Sequence, residues 1–270
     1  MRIEKLDGSP FYSFPHRIAA GGGRTMSCPL NLYRGVLRGM PEAFDAILVA
    51  SDLQGIAPPL SGEGEMRLVG EVLAEHLVKL ADEEKIPSAA KTGVILAGDL
   101  YSAPAADQRG VSGDVRSVWR AFAAGHRWVA GVAGNHDTFG STTDDKESFE
   151  AESRTHLLDG RCEDLDGVRI GGVGGIIGDP AKPARREEKE FLRSMRHVLS
   201  REPRVLVLHH GPDAKRGELR GHPAIRQALD RSSGLLVICG HVYWDEPITD
   251  LRGGAQVLNA DGRVVLLERA

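Results

Sequence analysis

Trp128-Val129-Ala130-Gly131-Val132-Ala133, followed at once by Gly134-Asn135-His136-Asp137, is the stretch on which the reading of this chain turns. A short apolar run of this kind reads as a strand covered on both faces, and the polar cluster then sits at its carboxyl end. Four other places repeat the design. Ala46-Ile-Leu-Val-Ala50 opens into Ser51-Asp52-Leu53-Gln54-Gly55, and Val94-Ile-Leu-Ala97 opens into Gly98-Asp99-Leu100-Tyr101. Val205-Leu-Val-Leu208 opens into His209-His210-Gly211-Pro212, and Leu235-Leu-Val-Ile-Cys239 opens into Gly240-His241-Val242-Tyr243. Ligands of such sheets bind outside the carboxyl ends of the strands, so five endings of this type are expected to converge on one polar site.

Outward from these runs, the order strand, loop, helix, strand from Ala46 onwards is that of an α/β fold. Apolar residues at helical spacing from Leu68 to Leu80 predict a crossover helix over about Glu65 to Glu84. Further helices are expected over Ser141 to Leu158, Ala184 to Ser200 and Pro223 to Asp230, with a glycine-rich strand from Val168 to Ile177. Residues 1–44, with Gly21-Gly-Gly23 and several prolines, read as an irregular extension packed on the core, ahead of one domain over residues 45–270. The end of the chain reads as antiparallel strands turning at Asn259-Ala-Asp-Gly262.

Composition narrows the function classes. The 270 residues carry a formal net charge of -4 with no concentrated basic stretch, so neither a nucleic-acid nor an anionic-membrane footprint is evident. Cys28, Cys162 and Cys239 are far apart, which gives neither a disulfide framework nor a thiolate zinc site. No apolar stretch approaches the roughly 18 residues that would span a bilayer, and the default expectation is a cytoplasmic protein. The sequence sets no oligomeric state.

Asp52, Asp99, Asn135, His209 or His210, and His241 form an oxygen and nitrogen donor set suited to Mn, Fe, Co, Ni or Zn. Two carboxylates brought together at adjacent strand ends would repel by about 4 kcal/mol at ~4 Å and an effective dielectric near 20, a penalty that a bound cation removes.

In order and approximate spacing these residues resemble the calcineurin-like metallophosphoesterases, whose pattern is D-x-H, G-D, G-N-H-[DE], a histidine after a strand, and G-H-x-H. The resemblance covers residues 46–243 and implies a four-layer α/β/β/α sandwich holding one or two divalent metals. It further implies hydrolysis of a phosphomonoester or phosphodiester by metal-activated hydroxide. Asp99 would bridge two metals, with Asn135, His209 and His241 completing the second site. The family often has His-His-x-Pro with the first histidine as ligand, which favours His209, with His210 as the alternative. His136 would stabilise the reacting phosphoryl group or protonate the leaving oxygen, and Asp137 would help to orient it. Arg109, in the loop after Asp99, is a candidate phosphate clamp, although a solvated loop arginine is the plainer reading.

Two positions depart from the pattern. Gln54 and Tyr243 stand where the family places histidines of the first metal site, leaving that site Asp52, Asp99 and, as substitutes, the amide of Gln54 or the phenol of Tyr243. The principal expectation is a hydrolase with an altered first metal site, acting on a small molecule or nucleotide. The alternative is a weak or inactive member of the fold that acts as a binding or scaffold module.

Overall fold

The computed structural model describes residues 1–215 and 218–270. Two sheets stack face to face, with helices on each outer face, giving the α/β/β/α order. The first sheet runs Thr155–Leu157, Trp128–Gly131, Thr92–Leu96, Ala46–Ser51, Arg263–Arg269, Arg24–Arg38, Tyr12–Gly21, Ile56–Ala57, Arg67–Leu68, with Arg2–Leu6 also paired to Arg24–Arg38. Its first four strands are parallel to one another. The second sheet runs Arg161–Leu165, Val168–Val173, Val205–His210, Leu236–Gly240, Gln256–Asn259, Ile248–Asp250.

Alternation decides which side chains meet. Ile47, Val49, Ile95 and Ala97 point from the first sheet to Ile170, Val205, Val207, Leu236 and Ile238 of the second, and all are buried. Burying each Ile, Val or Leu in this layer contributes about 1.5 to 3 kcal/mol. The opposite face of the first sheet, including Leu48, Val94 and Leu96, packs under the helices Val69–Asp82 and Arg116–Gly125. Helices Glu188–Leu199 and Pro223–Leu229 cover the second sheet through Phe191, Met195, Ile225 and Leu229.

Several expected elements change extent for identifiable reasons. The helix expected from Glu65 begins at Val69, because Arg67–Leu68 instead pairs with Ile56–Ala57 as a short strand. The helix expected over Ser141 to Leu158 is confined to Thr143–Glu150, since Thr155–Leu157 is drawn in as an edge strand beside Trp128–Gly131. The N-terminal region is corrected most. It is not irregular: Tyr12–Gly21 and Arg24–Arg38 form a long antiparallel hairpin, and Arg24–Arg38 runs parallel to Arg263–Arg269 within the sheet. Residues 1–44 therefore continue the sheet itself.

Candidate metal centre

Asp52, Asp99 and His241, each just after a strand, have φ of 55, 54 and 69°. Non-glycine residues rarely adopt this left-handed region, and each instance costs on the order of 1 to 3 kcal/mol unless its surroundings enforce it. Here the loops enforce one another. The Asp52 N–H donates to the Gly98 carbonyl at 2.8 Å, and the His241 N–H donates to Asp52 Oδ2 at 2.9 Å. Two glycines permit the close approach: a Cβ on Gly134 would lie 2.0 Å from Asp99 Oδ1, and one on Gly240 would lie 2.2 Å from Asp52 Oδ2.

Asp99 is at the middle of the cluster. Its Oδ1 accepts the His136 backbone N–H at 2.9 Å, and its Oδ2 accepts from Gln54 Nε2 at 3.2 Å. The same Oδ2 is 3.5 Å from His209 Nε2. His209 is wholly buried, and its Nδ1 donates to the Ala97 carbonyl at 2.8 Å, which in the neutral ring leaves Nε2 as a lone-pair donor. Asp99, His209 and His241 each offer one ligand atom, all within 4.8 Å of one another. The G-N-H-D loop adds Asn135, which is buried with Oδ1 lacking any hydrogen-bond partner among the described residues, as does His209 Nε2. Stranding such atoms costs about 1 to 3 kcal/mol each, so they mark places where an electrophilic partner is expected.

The electrostatics point the same way. Burial pushes the Asp52 carboxyl up to about 8, with the charges of Asp261 and Asp99 adding to the rise and His209 opposing it. Burial alone would lower His209, but Asp99 and Asp52 overcome it and raise the imidazole to about 10. Negative charge at the strand ends thus draws a proton onto His209. A divalent cation would supply the same compensation and free Nε2 as a ligand, so the donor set fits a metal.

The other expected residues divide. His136 is half-buried, with Nδ1 3.4 Å from the Ser112 hydroxyl, and lines a cavity of about 520 Å3 together with Asp52, Gln54, Asp99, Arg109 and His241. Arg109 is fixed at the wall by an Nε–H donated to the Ala19 carbonyl of the N-terminal hairpin at 2.9 Å. Asp137 does not turn toward the His136 ring. Its carboxylate accepts three backbone N–H groups, from Asp99 at 2.7 Å, Leu100 at 2.8 Å and Gly134 at 2.8 Å, and so pins two loops together. Its expected role in orienting that imidazole is therefore replaced by a structural one. His210 lies outside the ligand triad, its Nδ1 accepting the Ile177 N–H at 3.1 Å and its ring 5.3 Å from that of His222.

Tyr243 is the plain correction among the ligand candidates. It is 54% exposed, its ring lies under the Arg263 guanidinium at 4.5 Å, and it faces a different depression beside Trp244 and Lys215. It is absent from the lining of the cavity that holds Asp52 and Asp99. Conversely, Asp261, which lines the cavity, reads in the sequence only as part of a turn. The available signal was a sixth instance of the same design: Gln256–Asn259, parallel to Leu236–Gly240, is a short buried strand that opens into Ala260-Asp261.

A two-sheet sandwich with its donors gathered on strand-end loops is the architecture of a metallophosphoesterase, and comparison with known proteins agrees. The model of the calcineurin-like phosphoesterase family matches residues 46–245, and this chain belongs to that family. Among solved structures it is similar to TT1561 of Thermus thermophilus, with a TM-score of 0.56 and 17% identity over 80% of this chain and 88% of that one, a likeness of fold. No curated protein sequence matches it. Among the described residues no helix is long and apolar enough to cross a membrane.

Proposed function

We propose that this chain is a divalent-metal-dependent phosphoesterase that hydrolyses small phosphomonoesters or phosphodiesters. The observation that carries the proposal is the buried pair His209 Nε2 and Asn135 Oδ1, neither of which has a hydrogen bond among the described residues, at the same strand-end cluster as Asp99 and beside a cavity lined by His136 and Arg109. Asp99, His209, His241 and Asn135 would hold one ion, and Asp52 with Asp99 and the Gln54 amide would contribute to a second. What bound ions supply there is Lewis acidity toward the phosphoryl oxygens and a lower pKa for the attacking water.

The chain's own residues do the rest. Arg109 presents a guanidinium at the wall of the cavity, already oriented by Ala19, and such a fork matches two phosphate oxygens. Ser112 beside Nδ1 of His136 leaves Nε2 as the nitrogen open to substrate. As the bond from phosphorus to the leaving oxygen breaks, His136 gives that oxygen its proton and afterwards recovers one from solvent. The cavity volume of about 520 Å3 is in the range of small-molecule sites, which supports a small molecule or nucleotide as substrate.

The test is hydrolysis of p-nitrophenyl phosphate and bis(p-nitrophenyl) phosphate with added Mn and with chelator. Turnover that requires the metal is expected. A second reading rests on Gln54 and on the outward-facing Tyr243, which leave the first metal position without imidazole: the chain would then bind phosphoesters without cleaving them. A thermal shift with phosphate and Mn, but no hydrolysis of either ester, would favour that reading.

A further inference from the structure

We infer that Asp261 is a ligand of the first metal position, so that this position is built from oxygen donors alone: Asp52, Asp99, Asp261 and the Gln54 amide. The inference rests on the proposed metal-dependent function and adds a residue from outside the resemblance, contributed by the turn after Gln256–Asn259.

Three placements carry it. Asp261 is bridged to Ser51, the residue before Asp52, and the next residue, Gly262, donates its N–H to the Ser51 carbonyl at 3.2 Å. Asp261 thus lies alongside the end of the strand that presents Asp52. Its backbone is fixed from two further directions. The Asp261 N–H donates to Asn259 Oδ1 at 3.2 Å, and Asn259 Nδ2 donates to the Val242 carbonyl at 2.9 Å, which joins this turn to the loop bearing His241. Finally, Asp261 lines the cavity with Asp52, Gln54, Asp99 and His241, and among the described residues no hydrogen bond or ion pair engages its carboxylate. Asp99, which this position would share with the other, lies 3.5 Å from Nε2 of the wholly buried His209, an atom with no hydrogen bond among the described residues.

The consequence is an asymmetric centre. Carboxylates and an amide suit Mg and Mn, whereas the position holding His209 and His241 suits Zn or Fe as well. Metal equivalents should be counted by elemental analysis after equilibration with Mn, using the full chain and the Asp261→Asn variant. Two equivalents in the parent chain and one in Asp261→Asn are expected, with both proteins melting alike in chelator. Adding Gln54→His to Asp261→Asn should restore the second equivalent. Parent protein given one equivalent each of Zn and Mn should hold both, and pulsed electron paramagnetic resonance of its Mn should show no directly bound nitrogen. This last measurement needs no variant and stands if Asp261→Asn fails to fold. Two equivalents retained in Asp261→Asn, a single equivalent in the parent chain, or nitrogen bound to that Mn would each overturn the inference. None of these readouts depends on turnover, so inactivity toward phosphoesters would count against the proposed function and leave this inference standing.

Discussion

Replacing Gly134 by alanine puts one methyl group against the centre of the site. A Cβ there would stand 2.0 Å from Asp99 Oδ1 and 2.3 Å from the Asp99 backbone nitrogen. To reach 3.4 Å, where ordinary contact begins, Asp99 must retreat by about 1.4 Å, several times the roughly 0.2 Å tolerance of a metal ligand. Retreat of the backbone also strains the Asp99 N–H bond to Asp137 at 2.7 Å, one of the three that hold the two loops together. Overpacking of this kind costs about 1 to 3 kcal/mol of stability. The loss at the metal should be larger in effect: Mn affinity is expected to fall at least about 100-fold, or about 2.7 kcal/mol, because the proposed assignment makes Asp99 common to both positions. Isothermal titration of metal-free protein with Mn reads this directly, and a melting curve in chelator reads the stability cost separately. Unchanged Mn affinity in Gly134→Ala would show that Asp99 is not a ligand, and the assignment of the centre would fail with it.

Other expectations are more local. His136→Ala should lower turnover by on the order of 100-fold or more with metal content unchanged, since the ring is assigned to the leaving oxygen; parallel loss of metal would reassign it. Tyr243→Phe should leave both Mn equivalents unaltered, because the phenol lies outside the cavity under Arg263; a lost equivalent would contradict that placement. Thr142→Ala removes the reciprocal cap of helix Thr143–Glu150 and should cost about 1 kcal/mol, or about 2 to 4 °C in Tm. The Thr142 hydroxyl, then the backbone N–H groups of Ser141 and Thr142, hold the Asp145 carboxyl down at about 2. A folded pKa below the unfolded value of 3.8 gives stability that is present above 3.8 and lost as pH falls through about 2. The Tm gap between parent and Thr142→Ala should therefore narrow over that window, and a constant gap would show that the carboxylate takes no part in the cap.

The strand-end cluster was legible because buried parallel strands are written as continuous apolar runs, so that the first Asp, Asn or His after each run marks the carboxyl edge. Asp52, Asp99, Asn135, His209 and His241 all announce themselves in this way. The N-terminal hairpin did not, because its sequence carries the marks of irregular chain. Gly21, Gly22 and Gly23 are its turn, all at positive φ. Pro15 and Pro29 lack the N–H that a ladder uses, but they face one another in register and concentrate that loss at one rung. Tyr243 and Asp261 mislead for a shared reason. Periodicity says where a strand ends, whereas which way a side chain leaves the following loop depends on neighbours distant in sequence. For Tyr243 that neighbour is Arg263; for Asp261 it is Ser51.

The most direct test of the central claim is to measure bound Mn and hydrolysis of bis(p-nitrophenyl) phosphate in the same samples, as metal-free protein is loaded stepwise, for the parent chain and for His209→Ala. The structure leads us to expect activity that rises with occupancy in the parent, with both occupancy and activity lost in His209→Ala, since the buried Nε2 beside Asp99 is then gone. Hydrolysis by metal-free protein at the loaded rate, or full Mn binding by His209→Ala, would contradict it.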